Sequence, residues 1–92
     1  MNARVILTEA PTDATMAHAR AILRLAAGLS EGRAATERGT LDPDAVNRRA
    51  DALVAGWSYD VRHVRPMPES TARMIAHAME LAGVACRVEV VS

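Results

Sequence analysis

The sequence predicts a two-layer α/β (α+β) domain with about three strands in a mixed or antiparallel sheet and three to four helices, ordered β-α-α-α-β-α-β. Three observations predict it. Val5-Ile6-Leu7 is a short apolar run rich in β-branched residues, bounded by Pro11. Apolar residues at helical spacing fill the chain from Met16 to Val54. From residue 57 onward the pattern runs through a period of two, a helical period and a period of two again. That last third, residues 57–92, reads as a strand–helix–strand unit.

The first strand is expected over residues 3–8. Its unbroken apolar run predicts burial on both faces and a central place in the sheet. Thr12 or Asp13 can cap the next helix, because a side-chain oxygen there accepts from a free backbone N–H. Met16, Ala19, Leu23, Ala26 and Ala27 form its inner stripe, widened by Ile22, Leu25 and Leu29. Gly28 is the expected stop, with Ser30 capping a second short helix that ends at Gly39. Asp42-Pro43-Asp44 is the strongest start signal, with the capping carboxylate followed by a proline whose missing N–H costs nothing. The stripe Val46, Ala50, Leu53, Val54 and Trp57 follows, and Gly56 marks its expected end.

From Ser58 a strand is expected, with Tyr59, Val61 and His63 on one face and Asp60, Arg62 and Val64 on the other. Pro66 and Pro68 end it. The last helix begins near Pro68-Glu69-Ser70. It turns Ala72, Ile75, Ala76, Met79 and Ala82 inward, carries a second apolar strip of Met74, Ala78 and Leu81, and stops at Gly83. Val84, Cys86, Val88 and Val90 then alternate with Ala85, Arg87, Glu89 and Val91, the pattern of a strand with one apolar face. That strand carries no gatekeeping proline, so it predicts an edge able to pair with a second copy.

The 92 residues make one domain, residues 1–92. Half are apolar, but alanine dominates and phenylalanine is absent, so the core is thin. A homodimer is the expected remedy. Eleven basic residues, all arginine, balance 11 acidic ones. That balance argues against a strong non-specific nucleic-acid binder. The alanine and arginine usage fits a GC-rich bacterial or phage genome. One cysteine, no apolar leader and no membrane-length apolar run predict a cytoplasmic protein.

Ala27-Gly28-Leu29-Ser30-Glu31, with Met79-Glu80-Leu81-Ala82-Gly83-Val84 and Val88-Glu89-Val90, resembles the C-terminal domain of the ribosomal stalk protein. In layout the chain is also similar to the Clp-protease N-degron adaptor. Both families imply helices on one face of a three-stranded antiparallel sheet, in the order β-α-α-β-α-β. Neither family's functional residues carry over. The stalk family presents lysines and this chain has none. The adaptor family uses an acidic pair and a histidine, and Glu9 and Asp13 fall near that region. A helix over residues 43–55 is extra to both families. Tyr59-Asp60-Val61-Arg62-His63-Val64, Pro66 and Ala82-Gly83 resemble half of a SPOR-type peptidoglycan-binding repeat, a family of exported domains.

No catalytic, metal or cofactor motif stands out. His18, His63, His77 and Cys86 do not follow a zinc spacing. Cys86 on an apolar strand face reads as a packing residue. Asp42-Pro43-Asp44 lacks the later ligands of a calcium loop. Three functional readings remain. The leading one is a non-enzymatic protein-interaction module, an adaptor or accessory subunit, with Trp57, Tyr59, Arg62, His63 and Arg65 as its surface. Aromatics beside arginines are hot-spot composition, although Trp57 also fits as the closure of the core. The second is a dimeric DNA-binding regulator resembling the ribbon–helix–helix family, with Arg4, Arg20 and Arg24 on DNA, although Ile6 is a poor reader of bases. The third is a small enzyme or ligand-binding domain with a pocket near Glu9, Asp13 and His63.

Overall fold

A computed structural model describes residues 1–91. Its elements are β1 (Asn2–Leu7), α1 (Asp13–Arg38), α2 (Pro43–Arg62), β2 (Met67–Pro68), α3 (Glu69–Leu81) and β3 (Cys86–Val90). The three strands lie in the order β2-β1-β3. β1 is antiparallel to both neighbours, with Val5 opposite Val88 and Ala3 opposite Met67. β2 and β3 are therefore parallel to each other, and α3 carries the chain across β1 between them. The expected α/β class, with three strands, three helices and an antiparallel sheet, is the one observed.

α3 packs along β1 and β3, and α1 runs the length of α2 while touching α3. At ~1.5 Å per residue α1 is about 39 Å long, and the molecule's longest dimension is 41 Å. The α1–α2 hairpin thus spans the whole protein. Val5, Leu23, Ile75 and Met79 are the largest fully buried side chains. The predicted inner face of α3 (Ala72, Ile75, Ala76, Met79, Ala82) is buried throughout.

The helix starts follow local chemistry. Thr12 caps α1 reciprocally: its hydroxyl accepts from the Thr15 N–H and the Thr15 hydroxyl accepts from the Thr12 N–H, both at 3.1 Å. Asp42 accepts from the Asp44 N–H ahead of α2, with Pro43 in the first turn. These caps fix where the two long helices enter the fold.

Five expectations are corrected. The helix does not stop at Gly28, and the two helices expected over residues 13–38 are one. The buried face continues from Ala27 to Ala35. A Cβ on Gly28 would lie 3.0 Å from the Arg24 Nη1. Gly28 therefore makes room for a guanidinium that crosses to α2, where Arg24 donates to Asp51 at 2.6 Å and to the Asn47 side chain at 3.1 Å.

The strand expected from Ser58 is instead the end of α2, and β2 keeps only Met67–Pro68. Trp57 and Val61 are spaced i, i+4, an interval that fits one face of a helix and, being even, one face of a strand. Val61 is buried on the stripe of Val46, Ala50 and Val54, and packing selected the helix. Gly56 sits in this helix with open space around its missing Cβ, so it interrupts nothing.

Leu25 and Leu29 do not widen the inner stripe of α1; they are 70% and 77% exposed. β1 is central in strand order but is covered on one face only. Ala3 and Val5 are fully buried, whereas Ile6 is half-buried on the face that carries the Arg4–Glu89 pair.

Candidate interaction site

The carboxyl end of α2 gathers four of the five residues that the sequence assigned to a binding surface. The last turn closes with the Val64 N–H donating to the Val61 carbonyl at 3.3 Å and the Arg65 N–H donating to the Asp60 carbonyl at 2.8 Å. This double bond pattern requires a left-handed residue between the two donors' helix and the outgoing chain. Val64 occupies that place with φ 51°, the only non-glycine residue with positive φ among the described residues. A left-handed β-branched residue costs about 1–2 kcal/mol.

On the solvent side of the same turn, Tyr59 and His63 are one turn apart, with ring centroids at 4.2 Å and planes tilted by 44°. The Arg65 guanidinium lies 5.7 Å from the Tyr59 ring centre, within the range of a cation–π contact. Tyr59 is 45% exposed, so the stack faces water.

Beside this stack lies a cleft of about 360 Å³ between the end of β1, the start of α1 and the end of α2. Ile6, Leu7, Met16 and Val61 give it an apolar floor, Val64 stands at its rim and Arg62 supplies its one charged side chain. Neither Arg62 nor Arg65 makes an ion pair among the described residues. The cleft therefore offers apolar surface with Arg62, a cation without an acidic partner, in its wall, and Arg65, likewise without one, held over the neighbouring Tyr59 ring.

Of the five residues predicted for an interaction surface, Tyr59, His63 and Arg65 are stacked together, and Arg62 lines the adjoining cleft. Trp57 is separated from them. It is half-buried and packs against the core, the alternative role its position at the end of the Val46–Val54 stripe suggests. Sequence reasoning missed Ile6, Leu7, Met16, Val61 and Val64. Those residues meet only because α2 continues to Arg62 and brings its last turn over the end of β1.

The pocket expected near Glu9, Asp13 and His63 has its counterpart in this cleft, but with different walls. Pro11 and Met16, not the neighbouring carboxylates, line it. Asp13 is exposed in the first turn of α1, where it complements the helix dipole. The cleft consequently carries no carboxylate able to serve as an acid or base.

The three arginines proposed for DNA do not form a common stripe. Arg4 is paired with Glu89 at 3.0 Å on the sheet, and Arg24 is committed to the α1–α2 seam. Arg20 is exposed. β1 itself lies between β2 and β3, paired with both.

Cys86 is half-buried, and its thiol lies 3.6 Å from the Ala76 carbonyl oxygen. Burial, and then the Glu80 carboxylate, push the thiol above its ordinary range. A thiol held protonated in this way is a poor nucleophile. Among the described residues no three His, Cys, Asp or Glu side chains converge as a metal-holding group. Among them, too, no helix is long and apolar enough to cross a membrane. A second opening, of about 280 Å³, lies between α3 and β3, lined by Arg73, Ala76, His77, Glu80, Arg87 and Val88.

Compared with known proteins, the chain matches no family model, no curated protein and no solved structure.

Proposed function

We propose that this protein is a non-enzymatic interaction module, an adaptor or accessory subunit, that docks an extended segment of another protein at the end of α2. One observation carries this reading: an apolar cleft bounded by a strained Val64 stands beside an exposed Arg65–Tyr59–His63 stack. Backbone strain of this kind persists where surrounding structure holds it, and such positions cluster at binding sites. Aromatic and arginine side chains are the residue types that dominate binding energy. Because residues 13–38 form one helix, the helix expected to be extra over residues 43–55 is the second of the pair, and the element order β-α-α-β-α-β is also the layout of the adaptor and stalk domains that the sequence resembles; that likeness lends an analogy and no residue roles.

The chemistry specifies the partner segment. An apolar side chain fills the cleft between Leu7, Met16 and Val61. A carboxylate one or two residues away meets Arg62 or Arg65, which have no acidic partner of their own. Panning displayed hexapeptides tests this. Sequences that combine Leu, Ile or Met with Asp or Glu are expected to be enriched. A labelled selected peptide is expected to lose about tenfold or more in affinity on Arg62→Ala or Arg65→Ala and to be indifferent to Arg20→Ala. Enrichment of lysine-rich peptides, or equal affinity after replacement of Tyr59, Arg62 and Arg65, contradicts the proposal.

A further inference from the structure

β3 is an edge strand, and its backbone shows which residues are open to pairing. The Thr8 N–H donates to the Ala85 carbonyl and the Val91 N–H to the Asn2 carbonyl, at 3.0 and 2.8 Å. In the antiparallel register of β1 and β3, these bonds fix the alternation: Arg87 and Glu89 direct their backbone groups toward β1. Cys86, Val88 and Val90 therefore direct theirs away from the sheet. β3 ends the sheet order β2-β1-β3, so among the described residues no other strand pairs with this edge; Val88 is half-buried and Val90 is 41% exposed.

We infer that a second copy of this chain pairs with this edge, antiparallel about a two-fold axis through Val88. The open donors and acceptors belong to Cys86, Val88 and Val90, so only registers that oppose these residues satisfy both strands. Charge then selects among them. A shift in one direction sets Arg87 against the partner's Arg87, and a shift in the other sets Glu89 against the partner's Glu89. With Val88 on the axis, Arg87 faces the partner's Glu89 in both halves, and Cys86 faces the partner's Val90. Like charges directly opposite weaken a strand pair and opposite charges strengthen it. Glu89 is prepared for this contact. Its Oε1 is held by Arg4 at 3.0 Å, while its Oε2 is 3.8 Å from Arg87 of its own chain and free to take a closer donor.

α3 flanks the same edge. The opening beside Val88 is lined by Arg73, His77 and Glu80 of α3. The dimer uses none of the residues that line the cleft at the end of α2, so both surfaces operate together.

Two charge variants test the register. Arg87→Glu alone opposes two glutamates in each half, and Glu89→Arg alone opposes two arginines. Each variant by itself is expected to lose about tenfold or more in self-association by sedimentation equilibrium. Mixed together, they are expected to recover a dimer, because both contacts become complementary. Circular dichroism confirms that each remains folded. Cysteine crosslinking is the second arm and does not depend on the charge swap. In a Cys86→Ala background, Val88→Cys is expected to form an intermolecular disulfide on mild oxidation faster than Arg87→Cys or Glu89→Cys. A hydrogen-bonded antiparallel pair places its Cα atoms about 5.5 Å apart, within disulfide range. A wild-type chain that sediments as a strict monomer at high micromolar concentration overturns the dimer. A dimer that crosslinks best at residue 87 or 89 overturns the register.

Discussion

The ends of α2 and α3 close by the same backbone device with different residues. After α3, the Gly83 N–H donates to the Glu80 carbonyl at 3.0 Å and the Val84 N–H to the Met79 carbonyl at 2.8 Å. Gly83 adopts φ 83° without steric penalty, and the next residue, Val84, is buried as the chain turns into β3. After α2, the left-handed place is held by Val64, and the next residue, Arg65, is exposed. One end is relaxed and sealed against the core; the other is strained and open to solvent beside a cleft. A glycine at residue 64 would have removed the strain, so what the valine contributes is its side chain at the cleft rim. Under the proposed function, the difference separates a structural helix end from a docking one.

Exchanging the residue types across these two ends is the strongest way to break the comparison. Gly83→Val forces a β-branched residue into the left-handed region, and it is expected to lose about 2 kcal/mol of stability. Urea denaturation should show a lower midpoint with an unchanged slope. If Gly83→Val is neutral, the two ends are not constrained as described.

The reciprocal change has a smaller effect of opposite sign. Val64→Gly relieves about 1–2 kcal/mol of strain and returns roughly 0.5–1 kcal/mol through the entropy of the unfolded chain. A net gain of up to about 1.5 kcal/mol is expected, seen as a higher midpoint. The same variant removes part of the cleft rim, so its affinity for a selected acidic–apolar peptide is expected to fall severalfold. A variant that gains stability and keeps its affinity would leave the strain without a function.

The smallest effect concerns Cys86, which lies just beyond the relaxed end. Its folded-state pKa is raised by burial and by Glu80, so the native state holds the thiol proton more tightly than the unfolded chain. That contribution to stability is fully present below the ordinary thiol value of about 8.5 and declines as pH rises through it. Stability measured from neutral to alkaline pH should therefore fall slightly more in the wild type than in Cys86→Ala. Alkylation of the native thiol should also be slower than that of a free cysteine at the same pH.

The relaxed end was readable in the sequence and the strained end was not, for a physical reason. Gly83 follows an apolar stripe, precedes an alternating run and supplies the backbone freedom that a helix stop needs, so three local signals agree. At the end of α2 the signals conflict. Gly56 imitates a stop, the six residues after Trp57 alternate like a strand, and Val64 is a residue type that propensity places in strands. The deciding fact is long-range: Val61 falls on the buried stripe that begins at Val46, and its burial against the core outweighs the local pattern. Gly28 misled in a similar way, because its reason is the Arg24 side chain that lies over it on the way to Asp51. The aromatic–arginine composition of the site was visible from residue types alone. The cleft was not, since Val61 joins Leu7 and Met16 from an element more than 40 residues further along the chain.

The central claim is that the apolar surface at the end of α2 is a docking site, while the more exposed leucines of α1 are not. Titration of isotope-labelled protein with isopropanol, followed by methyl chemical shifts, tests it without a partner in hand. Saturable shifts concentrated on Ile6, Leu7, Met16, Val61 and Val64, with Leu25 and Leu29 changing only linearly, are the predicted result. Shifts that saturate at Leu25 and Leu29, or that saturate nowhere, would contradict it.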